Sequence, residues 1–177
     1  FREKALLITN KSLNWLNQKF KHNICGYLSD SNSSMNSNPH MHLFEAAIEW
    51  VRTASIIGSK EIYKDWKAIA DEMAMLASKK LIDKKDGSLS EIFDKNWNSE
   101  QNKLKKIIEP GHNYEWGWLL LRWGKLSNSI EFTNKAKKLI FIAESKGLLK
   151  NKLVISELDG YFNMKNKSIK LWPQTER

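Results

Sequence analysis

The chain has 177 residues, 41% of them hydrophobic, with a formal net charge of +9, eight tryptophans and a single cysteine. That length is enough for one domain with a sizeable core. No apolar run approaches the roughly 20 residues of a membrane span, and Cys25 alone excludes an internal disulfide. The charge raises nucleic acid as a partner. But the lysines are spread along the chain, as in Lys79-Lys80, Lys84-Lys85 and Lys135, Lys137, Lys138, and arginine is scarce. They read as a solvated surface, not a phosphate-binding stripe, so neither nucleic acid nor membrane is expected as a partner.

In chain order, residues 3–20 read as a helix, with Ala5, Leu6, Ile8, Leu13, Trp15, Leu16 and Phe20 at helical spacing. Gly26-Tyr27-Leu28 reads as a short strand, followed by a polar loop from Ser29 to Ser37. Asn38 then serves as N-cap and Pro39 as first residue of a second helix, which ends at Gly58. Glu61 to Ile82 is a third helix, with Ile62, Trp66, Ile69, Met73, Leu76 and Leu81 facing inward. Asp83 to Gly87 is a turn, Ser88 to Phe93 a short strand, and residues 94–108 a polar connection. Pro110 opens a fourth helix, to about Trp123. Asn128 or Ser129 caps a fifth, residues 130–146, which stops at Gly147. Gly160-Tyr161-Phe162 and Ser168 to Leu171 read as a hairpin around Asn163–Asn166, and Trp172-Pro173 opens a further helix start.

All three prolines stand at helix starts: Asn38-Pro39-His40-Met41-His42, Glu109-Pro110-Gly111-His112 and Trp172-Pro173-Gln174-Thr175-Glu176. Each follows a Gly-led strand and a connection, at intervals of 71 and 63 residues. This is an internal repeat of helical hairpins with strand-bearing connections. Proline punctuation alone explains the prolines but not the histidines and acidic residues after them. In a ring of such hairpins the proline-led helices form the inner layer, and their N-termini converge at one end. His112 lies in the first turn of its helix, at the positive end of the dipole. Glu115 is three residues on, beside it on the same face.

These three blocks resemble the signatures of the N-acylglucosamine 2-epimerase superfamily, which includes mannose isomerases, sulfoquinovose isomerase and cellobiose 2-epimerase. Glu109-Pro110-Gly111-His112-Asn113-Tyr114-Glu115-Trp116 is the most specific of them. The resemblance implies an all-α fold, a partial (α/α)6 toroid of helical hairpins with short β-hairpins in the connections. It implies one incomplete toroid domain over residues 1–177, from the central to C-terminal part of the family fold. It also implies a sugar isomerase or epimerase that works by proton transfer without metal or cofactor. His112 is then one of two acid/base histidines, Asn38 and His42 contact sugar and ring-opening oxygens, and Glu115 supports His112. Trp172, Gln174 and Glu176 sit near the pocket. Two parts of the pattern lack counterparts among these residues: an arginine from the family's N-terminal portion, and the second histidine, which lies beyond the Trp-Pro-Gln-Thr-Glu block.

The chemistry suits the residues. Aldose–ketose isomerisation moves a proton between neighbouring carbons through an enediol(ate), and a histidine titrates near the required pH. The dipole biases His112 toward neutrality, while Glu115 opposes that bias. His42 can donate to a developing oxyanion. Trp116, Trp118 and Trp172 suit either the apolar face of a sugar or the core, Trp118 inclining to the core. His40 and His42 at i, i+2 are not a helical metal pair. A three-His zinc site with His112 lacks a supporting carboxylate or Cys spacing. His22 reads as a loop or surface residue and Cys25 as buried or inert.

The reading that results is a mannose–fructose-type aldose–ketose isomerase on a mannose- or glucose-type aldose. Its alternatives are an N-acylglucosamine 2-epimerase, a mannose-6-phosphate isomerase-like activity, and a non-catalytic carbohydrate-binding helical-repeat fragment. The lone cysteine suits a reducing cytosol, and Phe1-Arg2-Glu3-Lys4 carries no signal-peptide pattern, so the expected location is cytoplasmic. Both ends read as those of a piece of a longer chain. A partial ring exposes apolar flanks, which implies self-association through its open edges.

Overall fold

The computed structural model describes residues 2–28 and 34–177. The order is α1 (Arg2–Lys19), β1 (Ser34–Asn36), α2 (Ser37–Ile57), α3 (Lys60–Leu76) continuing into a π-helical turn (Ala77–Leu81), β2 (Ile92–Asp94), α4 (Pro110–Leu126), α5 (Ile130–Lys146), β3 (Glu157–Leu158), β4 (Met164–Asn166) and α6 (Trp172–Glu176). Helices dominate, as expected for an all-α toroid segment. The polar loop expected from Ser29 to Ser37 falls partly on residues 29–33, outside the described residues.

Local chemistry sets the helix ends. Gly58 closes α2 with φ 72° and donates its N–H to Ala54 O, a left-handed cap that costs glycine nothing. Ser129 caps α5, its side chain accepting from Phe132 N. Two expectations need correcting. Asn38 is not the N-cap of α2: the helix begins at Ser37, after an extended Asn36. The pairing of β1 with β2 holds Asn36 extended, and the Ser37 N–H donates to Glu91 O. Pro39 is therefore the third residue of its helix, where a missing N–H still costs nothing. The proposed strand half of the repeat also fails. Tyr27 and Leu89 make isolated bridges to Lys21 and Ile82, and Gly160-Tyr161 form the turn of the β3–β4 hairpin, not a strand.

α2 and α3 form one antiparallel hairpin and α4 and α5 the next, and α2 packs on α4. Phe44 of α2 lies between Trp116 and Trp123 of α4, with ring centroids 5.8 and 6.4 Å apart. Trp50 stacks on Trp66 at 5.8 Å. Met41, Ile48, Met73, Leu119 and Leu139 complete this core, and burial of such side chains contributes about 1.5–3 kcal/mol each. α1 adds only Leu13 to the buried set and leaves Leu7, Ile8 and Trp15 more than half exposed.

The connections hold the helix N-termini together. β1 and β2 are not one hairpin: they come from the segments before α2 and after α3, and pair antiparallel. Glu91 N–H donates to Ile107 O, and Ile108 exchanges both backbone hydrogen bonds with Leu158 of β3. A belt of backbone bonds thus runs beneath the starts of α2 and α4 to the hairpin preceding α6. That belt is why the proline-led helix starts meet at one end.

Candidate active site

Above the belt lies an open cleft of about 590 Å³, lined by Asn38, His42 and Glu45 of α2, Glu109 with His112, Glu115 and Trp118 of α4, and Trp172 and Glu176 of α6. Six of the eight residues singled out from the sequence therefore meet here: Asn38, His42, His112, Glu115, Trp172 and Glu176. The other two do not. Trp116 is fully buried against Phe44 in the α2–α4 seam. Trp118 takes the cleft position instead, 43% exposed, because it follows Glu115 by three residues and shares its face. The Arg122 guanidinium lies 4.4 Å from the Trp118 ring and is tied to Glu49. Gln174 spends its amide on backbone: Oε1 accepts from Val154 N, and Nε2 donates to Val154 O and Lys170 O. It latches α6 to the end of the α4–α5 hairpin and does not face the cleft.

His112 is the most constrained group in the cleft. Pro110 is the first residue of α4, which suits its fixed φ. Gly111 is required because a Cβ there would fall 2.5 Å from the Trp172 ring and 3.0 Å from Pro173. Trp172 can then lie over His112, centroids 4.9 Å apart and planes tilted by 35°. The sequence placed Glu115 beside His112 as its support. The structure gives the hydrogen bond to another residue: Nδ1 of His112 is 2.9 Å from Oε2 of Glu91, with Oε2 of Glu109 at 3.9 Å. Glu115 instead points its carboxylate at His42, 3.6 Å away, and Glu45 flanks His42 at 3.8 Å. Glu91 lies outside the signature blocks, in the stretch Leu89-Ser90-Glu91-Ile92-Phe93, where no local pattern marks it in the sequence.

The electrostatics follow from these contacts. Burial pushes the His112 imidazole toward neutrality, but Glu91, then Glu109 and Glu115, outweigh it and raise its pKa. The net direction is opposite to the dipole bias expected from sequence, because nearby full charges exceed a helix end. Burial raises the Glu109 carboxyl, with His112 opposing and Glu91 reinforcing. Burial likewise raises Glu115, reinforced by Glu176 across the cleft.

His40 is turned away from the cleft and 1% exposed. Its Nδ1–H donates to Asn36 O and its Nε2 accepts from Tyr27 N–H. With both nitrogens engaged it cannot join His42 and His112, so the three-His arrangement is not built. Two other sets do bring ligand atoms within 4.8 Å of one another, His42 with Glu45 and Glu115, and Glu91 with Glu109 and His112. His22 lies in the connection after α1, as a loop residue, but is not on the surface: it is buried, Nε2 donating to Lys95 O and Nδ1 accepting from Ile24 N. Burial raises the Cys25 thiol pKa, which suits an inert residue. No helix among the described residues is long and apolar enough to cross a membrane.

The sequence profile of the N-acylglucosamine 2-epimerase (GlcNAc 2-epimerase) family matches residues 2–177. A mannose-6-phosphate isomerase of Rhizobium meliloti (strain 1021) is 36% identical over 164 residues, which are 91% of this chain and 41% of that protein. Among solved structures, a D-mannose isomerase superposes with a TM-score of 0.77 at 21% identity, over 98% of this chain and 48% of its own. The cellobiose 2-epimerase of Bacillus thermoamylovorans B4167 superposes with a TM-score of 0.75 at 21% identity, over 99% and 47%. The chain thus spans less than half the length of these relatives.

Proposed function

The chain belongs to the N-acylglucosamine 2-epimerase family, and from that premise we propose that it builds half of the active site of an aldose–ketose isomerase. His112 is the acid/base residue. Its Nε2 takes the proton α to the carbonyl of a ring-opened aldose and returns it to the neighbouring carbon through an enediol(ate). His42, paired with Glu115, serves the ring-opening and carbonyl oxygens. Asn38 and Glu176 bind hydroxyls, and Trp172 and Trp118 offer apolar faces to the sugar. The second acid/base histidine comes from the part of the family fold that follows the Trp172–Glu176 block. The observation that carries this reading is His112, held by Glu91 and Trp172 at a cleft that also presents His42 and Asn38.

The substrate in this reading is an uncharged sugar of the mannose or glucose type. Among the described residues, no lysine or arginine lines the cleft, while Glu45, Glu109, Glu115 and Glu176 do. Carboxylates at that density repel a phosphate. The rival reading, a sugar phosphate, draws on the name of the 36% identical relative. Incubating the complete enzyme with mannose and with mannose 6-phosphate, and following ketose by chromatography, decides between them. Fructose from mannose is expected. Ketose from the phosphate alone would overturn the uncharged-sugar reading, and an epimerised aldose with no ketose would overturn the isomerase reading.

We further propose that the chain by itself self-associates. Leu7, Ile8 and Trp15 on α1, and Ile169 and Leu171 before α6, present apolar surface at the two flanks, and such surface seeks cover. Light scattering at working concentration should give more than one copy per particle; a clean monomer would count against it.

A further inference from the structure

We propose that Glu91 is the positioning residue for His112, holding the imidazole in its Nδ1–H form and leaving Nε2 to the cleft. The inference rests on the reading of His112 as the acid/base group. Glu91 lies 21 residues before His112, in the segment just ahead of β2.

Three observations carry it. Glu91 is pinned from several sides. Its backbone N–H donates to Ile107 O, its carbonyl accepts from Ser37 N–H, and its Oε2 accepts from the Ser37 hydroxyl at 2.6 Å. The carboxylate is therefore set at the joint between the starts of α2 and α4 ahead of substrate binding. Second, Glu91 is 7% exposed and its Oε1 has no hydrogen-bond partner among the described residues. A buried carboxylate is costly unless a positive group faces it. No lysine or arginine pairs with it among the described residues, and His112 is its ion-pair partner. A neutral side chain would make the bond to Ser37 as well. What only a carboxylate does here is stabilise an imidazolium. Third, the remaining freedom of the ring is removed by Trp172, which covers one face of it. One edge and one face are fixed, and Nε2 has no partner among the described residues. This is the base-with-orienting-partner arrangement that nucleophile and proton-transfer sites share.

The groups facing His112 define the comparison. Glu115 is on its own helix and Glu109 at the N-cap of that helix, Glu91 is on the segment below, Glu45 and His42 are on α2 across the cleft, and Glu176 is on α6. Glu109 is within 3.9 Å but makes no hydrogen bond to the ring, so it shares the charge effect without the orienting one. The test is nitrogen-correlated NMR of the four histidines in this chain and in its Glu91→Gln and Glu109→Gln variants. The native His112 is expected in the Nδ1–H form. Glu91→Gln should lower its pKa and mix the tautomers. Glu109→Gln should lower the pKa and leave the tautomer in place. An Nε2–H tautomer in the native chain, or an unchanged tautomer and pKa in Glu91→Gln, would overturn the proposal. The native tautomer decides the matter even if Glu91→Gln fails to fold. In the complete enzyme, Glu91→Gln should lower kcat by roughly tenfold or more with KM little changed, and move the acid limb of the pH profile to lower pH. A complete enzyme without isomerase activity would remove the functional reading, while the tautomer measurement would still decide the positioning one.

Discussion

His40 and His112 occupy comparable places in the two inner helices, one or two residues past a proline in the first turn, yet their surroundings give them opposite properties. Both use Nδ1 toward a group upstream. For His40 that group is the Asn36 carbonyl, and the Tyr27 N–H fills Nε2 while Trp97 packs on it at 4.9 Å. Burial then dominates and lowers its pKa, with the Asn36 and Tyr27 contacts and Glu72 opposing. For His112 the group is a carboxylate, and despite burial the pKa rises. Position in a helix start does not distinguish a structural histidine from a proton-transfer one. The charge and geometry of the partner do.

The comparison breaks most sharply in activity. His112→Ala in the complete enzyme should lose about 10²- to 10⁴-fold in turnover, the usual share of a general acid/base, with circular dichroism unchanged. His40→Ala should leave turnover per folded molecule intact and lower stability by about 1–3 kcal/mol in urea titrations, the cost of orphaning buried backbone groups. A folded but inactive His40→Ala protein would erase the distinction.

Gly111→Ala sharpens the comparison at the next level of effect. The new methyl collides with Trp172 and Pro173. Overpacking of this kind costs about 1–3 kcal/mol. The expected result is a lower Tm together with reduced turnover, since Trp172 must leave the face of His112. A variant with native Tm and turnover would show that Trp172 does not constrain the ring.

The smallest effect is in the pH dependence of stability. His40 has a folded pKa below its unfolded value, so the unfolded chain binds more protons in that interval. Stability should fall as pH drops through about 6.5, the unfolded value. His112 is raised on folding, so its contribution is complete below about 6.5 and is lost as pH rises through its folded pKa. Denaturant titrations of this chain between pH 5 and 8.5 should show the acid-side slope flatten in His40→Asn and the alkaline-side slope flatten in His112→Asn. Identical slopes in both variants would contradict the assignment.

Much of the site is legible in the sequence. Asn38, His42, His112, Glu115, Trp172 and Glu176 all fall in the three proline-marked blocks, which are local in the chain, and the family resemblance of those blocks is what implied their places at the pocket. The exchange of Trp116 for Trp118 runs against the sequence reading, which inclines Trp118 to the core: the three-residue step after Glu115 points to the cleft, but tryptophan also suits a core. The structural role of Gln174 is not legible, because its partners Val154 and Lys170 lie in connections with no strong pattern. The burial of His22 depends on Lys95, 73 residues away, which no period reaches.

The sequence alone determined the helices, the caps at Gly58, Ser129 and Gly147 and the presence of three proline-marked starts, because propensity, capping and apolar period act within a few turns of chain; the cap of α2 it misplaced, since the β1–β2 pairing sets it. Tertiary structure decided which residue answers which. The belt linking Ser37, Glu91, Ile107, Ile108 and Leu158 brings a buried carboxylate under His112 and leaves Glu115 to His42. Charge pairing falls off over a few ångströms, and only the packing of separate elements sets distances that short.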